Sequence, residues 1–261
     1  MDLGISGKTA LVLGGGGGLG GAIAQALAAE GAGVAVADIS PQAAERTVEA
    51  VAGLGGKAVS LEWDLGDLDA IDRHVTTVEG VLGPVDILVN NTGGPPPSPV
   101  GGQDPEIWLQ HFRSMVMSVI AITDRVAPLM RSRGWGRIVT SASSGVIAPI
   151  PDLGLSNALR GSLLGWSKTL AREVAADGVT CNVVVPGRIG TQRTKFLDRA
   201  KAEREWRSVE EISAESVASI PVGRYGEPRE YAAAVAFLAS SQASYITGSV
   251  IRVDGGLIAS L

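Results

Sequence analysis

"KTALVLGGGGGLGGAIAQALAAEGAGVAVAD", residues 8 to 38, decides how the rest of the chain is read. A short apolar run with strand propensity ends in five consecutive glycines, Gly14 to Gly18, and the alanines and leucines that follow have helical spacing. A glycine then stops the helix, and a second apolar strand ends on Asp38. Strand, glycine turn, helix and strand suit a nucleotide: glycines let backbone N–H groups approach a pyrophosphate, and the helix N-terminus adds partial positive charge. A plain flexible turn also contains glycines. The setting, with Gly20 and Gly21 opening the helix, favours the nucleotide. Asp38, 18 residues after Gly20, sits where a carboxylate accepts hydrogen bonds from a ribose 2′-hydroxyl and repels a 2′-phosphate. NAD is therefore expected in preference to NADP.

Beyond Asp38 the alternation continues. Ser40 caps a second helix with Pro41 at its first position, and "KAVSLEWD" is a third strand. "VDILVNN", "GRIVTSAS", "GVTCNVVVPG" and "GSVIRVDGG" are further strands, with helices near 70–82, 104–132, 154–176 and 227–240. Seven apolar strands alternating with helices predict an α/β fold, a single domain over residues 1–261 with a parallel sheet covered on both faces. Two segments break the rhythm: "TGGPPPSPVGGQDP" after the fourth strand, and a charged stretch over about 188–222 with the makings of short helices. Both follow the C-terminal end of a strand, where open α/β sheets bind ligands, so a substrate-covering role is expected of each.

Composition narrows the partners. A net charge of −5 and a pI near 5.2 supply no basic field for nucleic acid or anionic lipid. No apolar run reaches the ~20 residues of a membrane span, and no secretory leader is evident, so the cytoplasm is the expected location. The lone Cys181 lies in an apolar run and reads as a small buried hydrophobe. His74 and His111 lie apart without ligand spacing, so no metal is expected.

Several motifs then fall in one order along the chain. Leu13, Gly14, Gly18, Leu19 and Gly20 form the glycine turn; Asp64 and Leu65 follow the third strand in "WDL"; "NNTG" runs from Asn90 to Gly93; "PGRIGT" runs from Pro186 to Thr191; "PVGRYGEP" and "YITGSVIRVDGG" close the chain. Singly, the asparagines and Gly93 read as a strand-end turn and Asp64 as a helix cap. In this order they resemble the short-chain dehydrogenase/reductase family from Lys8 to Gly256, with leucine for the family's first threonine and Thr92 for its alanine. The resemblance implies a Rossmann-type, doubly wound, seven-stranded sheet and a small-molecule substrate. It also implies a homo-oligomer, dimer or tetramer. Its cofactor contacts would be Gly14, Gly18, Leu19, Gly20, Asp38, Asp64, Leu65, Asn91, Gly93, Pro186, Gly187, Ile189 and Thr191, with Thr191 beside the nicotinamide carboxamide.

Members of that family use a serine, a tyrosine and a lysine, supported by an asparagine. Ser143 fits the serine. Anchoring on "GWSK", Gly165 to Lys168, aligns Ser156 with the tyrosine and Arg160 with the lysine, while Met115 falls at the asparagine. Tyr225, Tyr231 and Tyr245 all lie downstream. The catalytic positions implied are thus Ser143, Ser156 and Arg160. Arg160 keeps a permanent charge and can hold ribose hydroxyls, whereas an aliphatic hydroxyl at Ser156 is a poor general acid. His111 and Asp152 are substitute proton donors, or a solvated side chain and a cap. Arg188 and Arg193 suit an acidic substrate, or plain solvent. Three readings stay open: an NAD-dependent oxidoreductase of a carbonyl or secondary alcohol, near the 3-oxoacyl reductase branch; a catalytically silent nucleotide-binding protein; or a lyase or isomerase using the same pocket.

Overall fold

The computed structural model describes residues 2–261. Strands β1 (Thr9–Leu13), β2 (Gly33–Asp38), β3 (Ala58–Glu62), β4 (Ile87–Asn90), β5 (Gly136–Ser141), β6 (Val179–Pro186) and β7 (Val250–Val253) form one sheet in the order β3-β2-β1-β4-β5-β6-β7. All six pairings are parallel. The helices are α1 (Gly18–Ala29), α2 (Pro41–Gly53), α3 (Ile71–Leu82), α4 (Pro105–Phe112), α5 (Ser118–Ser132), α6 (Gly154–Val174), α7 (Gln192–Glu205), α8 (Val209–Ala218) and α9 (Pro228–Leu238).

Burial on both faces explains why the inner strands β1, β2 and β4 are near-continuous apolar runs, whereas the edge strands β3 and β7 are only partly buried and carry Glu62 and Arg252. On one face Val12 and Val36 pack with Ile23 and Leu27 of α1, Val51 of α2 and Val235 of α9. On the other, Leu11, Leu13 and Leu88 pack with Val75 of α3, Ile122 and Val126 of α5 and Val174 of α6. Successive β1 residues therefore serve opposite cores, as the two-residue period of a strand requires. The result is the single-domain α/β fold with a covered parallel sheet expected from the alternation, doubly wound as the family resemblance implies.

The chain reverses direction of build at β1, which pairs with β2 through Leu13↔Ala37 and with β4 through Val12↔Val89. A crevice opens outside the strand ends at such a switch point. Two elements shape it beyond the sheet. The helix expected over 104–132 is interrupted by a wider π-helical turn at Arg113–Met117, which sets Ser114 and Met115 against the crevice. The charged stretch after β6 folds into α7 and α8, capped by Thr191 and by a Ser208–Glu211 capping box. Lys201–Glu215 at 2.7 Å ties the two helices together. Among the described residues no helix is long and apolar enough to cross a membrane, and no His, Cys, Asp and Glu cluster could hold a metal.

Candidate active site

The C-terminal ends of the strands and α7 enclose a cleft of about 650 Å³, within the range of small-molecule sites. One end is built from backbone. Gly14 follows β1 at φ +57°, a conformation that strains side-chain-bearing residues, and a Cβ on Gly20 would strike the Gly14 carbonyl. The N-cap of α1 is Gly17, with no side-chain oxygen on the leading N–H groups and no acidic residue in the first turn. Helices α2, α4, α7 and α8 have side-chain caps, whereas α1 presents open donors, and it does so at the cleft wall. Open helix donors behind a glycine turn fit a pyrophosphate.

Asp38, at the end of β2, also lines the cleft. Its two oxygens accept from the Gly16 and Ser40 N–H groups, each at 3.0 Å, which fixes the carboxylate while leaving acceptor capacity. Asp64 accepts from the Gly66 N–H at 2.8 Å, so it closes a tight turn rather than capping a helix, and Leu65 lines the wall beside it. Asn91 donates from Nδ2 to the Leu13 and Gly14 carbonyls at 3.2 and 3.3 Å, clamping the end of β4 to the glycine turn. Asn90 faces the other way, donating to Thr123 and Thr140 in the core. Gly93, Pro186, Gly187, Ile189 and Thr191 complete this part of the lining, with Gly18 and Leu19 opposite. A Cβ on Gly18 would come within 2.9 Å of the Thr191 methyl, so the walls meet closely there.

At the other end, Ser143, Ser156, Arg160 and Met115 share the cleft. Ser143 follows β5, and its Oγ accepts from the Gly145 N–H at 3.2 Å, which leaves its own proton free. Ser156 is buried in the first turns of α6. Arg160, one turn further, is also buried, and its guanidinium donates to the carbonyls of Gly93 at 2.7 Å, Thr92 at 3.0 Å and Ser141 at 3.4 Å. Burial, with the neighbouring Arg193 charge, pulls its pKa down to about 10, so it remains a cation at neutral pH.

The substitutes fare differently. His111 reaches the cleft wall from α4. Asp152 lines it too, at φ +56°, with its carboxylate 3.3 Å from Arg204. Arg188 is paired with Asp198 at 2.9 Å, whereas Arg193 donates to the Pro95 carbonyl at 2.7 Å. Tyr231 returns from α9 to hydrogen-bond Ser141 Oγ at 2.8 Å, yet it is fully buried, and burial drives its phenol far above the ordinary tyrosine range. Cys181 is buried, its thiol pushed up to about 11, which suits a packing role. Two features carried no signal in the sequence: Gly94, which lies against both Arg193 and Arg160, and the buried Thr92 hydroxyl, which has no partner.

The profile of the family described as enoyl-(acyl carrier protein) reductase matches residues 15–258. The chain is 38% identical over 257 residues to nodulation protein G of Azospirillum brasilense, covering 97% of this chain and 99% of that protein. It is 35% identical over 256 residues to the 3-oxoacyl-acyl-carrier-protein reductase of Haemophilus influenzae, covering 97% and 99%. L-sorbose reductase from Gluconobacter frateurii, solved with NADPH and L-sorbose, superposes with a TM-score of 0.93 at 29% identity over 100% of both chains. On its fold, its ordered motifs and these relatives, the chain belongs to the short-chain dehydrogenase/reductase family of oxidoreductases.

Proposed function

We propose that this protein transfers hydride between a nicotinamide cofactor and a small carbonyl compound or secondary alcohol, using an altered set of side chains. The observation that carries this reading is the single cleft that joins the glycine turn and Asp38 to Ser143, Ser156 and Arg160. When bound, the nicotinamide supplies or accepts the hydride. The glycine turn and the open N-terminus of α1 would hold its pyrophosphate, and Asp64, Leu65, Asn91, Gly93, Pro186, Gly187, Ile189 and Thr191 the remainder. Asp38 favours NAD, since its fixed carboxylate accepts from a 2′-hydroxyl and repels a 2′-phosphate. The sorbose reductase was solved with NADPH, which makes NADPH the proper competitor in any test.

Ser143 orients the substrate oxygen with the proton its cap leaves free. Arg160 holds positive charge near the oxygen and stabilises negative charge as it develops, but it does not exchange a proton at neutral pH. Ser156 then relays the proton, its hydroxyl donating to the oxygen in concert with taking one from water, since an aliphatic hydroxyl is too weak an acid to give its proton up first. Met115 brings no polar group to that path. The covering wall is α7 with α8, over about 188–222, and the working unit is a homo-oligomer in the cytoplasm.

Stopped-flow absorbance at the reduced nicotinamide band, with NADH or NADPH and a panel of ketones and alcohols, tests the proposal. Turnover above the enzyme-free rate, faster with NADH, is expected. Absence of turnover across the panel overturns it, and a fluorescence titration with NADH then shows whether the binding half still stands.

A further inference from the structure

Arg160 and Arg193 are neighbours without a carboxylate. A Cβ on Gly94 would lie 3.1 Å from Arg193 Nη2 and 3.8 Å from Arg160 Nη2, so both guanidiniums converge on one point of the cleft wall. Every hydrogen bond either of them makes goes to a backbone carbonyl. The other cations of the same wall are each neutralised: Arg188 by Asp198 at 2.9 Å, Lys201 by Glu215 at 2.7 Å and Arg204 by Asp152 at 3.3 Å. Two adjacent, partly desolvated positive charges are costly to leave uncompensated. Burial lowers the proton affinity of both, and the Arg193 charge adds to the effect on Arg160.

Arg193 is also the better placed to take a ligand. A guanidinium has five N–H donors, and Arg193 uses one hydrogen bond, to Pro95. Its guanidinium carbon lies over the Phe196 ring, 5.5 Å from the centroid, a contact that uses none of its N–H donors. A planar fork with free edges matches a carboxylate bidentately. Arg160, with three carbonyl acceptors, adds charge from behind rather than a fork.

Resting on the oxidoreductase reading above, we infer that the substrate is an oxo- or hydroxycarboxylic acid whose carboxylate is seated on Arg193, with Arg160 as the second positive charge. A cofactor phosphate has the same sign and is the competing source, so the test separates the two. Straight-chain oxo acids from 2-oxobutanoate to 5-oxohexanoate are each compared with their methyl esters as substrates with NADH, for the native chain, Arg193→Gln and Arg193→Lys. At least one acid should exceed its ester in kcat/KM by about ten-fold or more, Arg193→Gln should bring the ratio close to one, and Arg193→Lys should keep part of it. Esters matching acids throughout, or a ratio unmoved by Arg193→Gln, overturns the assignment. So does a weaker NADH affinity in Arg193→Gln with an unchanged acid-to-ester ratio, which gives the pair to the cofactor. If neither these compounds nor the wider panel of ketones and alcohols turns over, the oxidoreductase reading fails on its own, and calorimetric titration of glutarate against glutaramide decides the seat. Glutarate binding that Arg193→Gln abolishes supports it; no preference for glutarate overturns it.

Discussion

The two ends of the cleft are built on opposite principles. At the glycine turn, backbone packs on backbone, each wall is fixed by the next, and the Asp38 carboxylate is held by two N–H groups. Around Ser156 the side chains do the positioning, two guanidiniums lack counter-charges and a buried threonine hydroxyl lacks a partner. In the proposed function the first end binds a constant ligand, and its close packing tolerates little change. In the same reading the second end meets a variable ligand, and its unmet charges and hydrogen bonds are what that ligand would satisfy.

The sharpest way to break this contrast is Gly20→Val. Its side chain would strike the Gly14 carbonyl, so NADH affinity in a fluorescence titration should fall by about a hundred-fold or more, with about 1–3 kcal/mol of stability lost to overpacking. A variant that still binds would show the turn to be pliant. Asp38→Ala comes next: the ratio of NADH to NADPH affinity should drop by about ten- to a hundred-fold, the worth of a charged hydrogen bond and a relieved repulsion. An unmoved ratio would take cofactor choice away from Asp38.

At the other end, Ser156→Tyr with Arg160→Lys should raise ketone reduction by about ten-fold or more, because a phenol beside an ammonium is a far better acid than a serine hydroxyl. Adding Met115→Asn should raise it further. Unchanged rates in stopped-flow assays would mean that the surrounding pocket has been rebuilt around the serine. The smallest effect belongs to Tyr231→Phe. Losing its bonds to Ser141 and to the Val184 carbonyl should lower stability by about 1–3 kcal/mol in denaturant unfolding while kcat/KM stays within about two-fold. A large loss of rate would make this buried tyrosine part of the proton path after all.

Legibility along the chain follows the same division. The inner strands were readable because burial on both faces makes them continuous apolar runs, and the turn because Gly14 adopts a positive φ and a Cβ on Gly20 would strike the Gly14 carbonyl. The expected helix over 104–132 hid its π-helical turn, since a widened turn leaves the spacing of apolar residues almost unchanged. Arg188 and Arg193 looked alike in sequence. Asp198, one helical stretch away from Arg188, neutralises it, while Arg193 crosses the cleft to Pro95.

By itself the sequence determined the layering, the place of the cleft and the residue types at its two ends, because periodicity, glycine and motif order are local properties of the chain. Tertiary structure alone decided which charges find partners. Arg160 and Arg193 meet over Gly94 only because α6, α7 and the end of β4 are brought together by the sheet, and Coulombic and desolvation energies depend on those through-space distances rather than on separation along the chain.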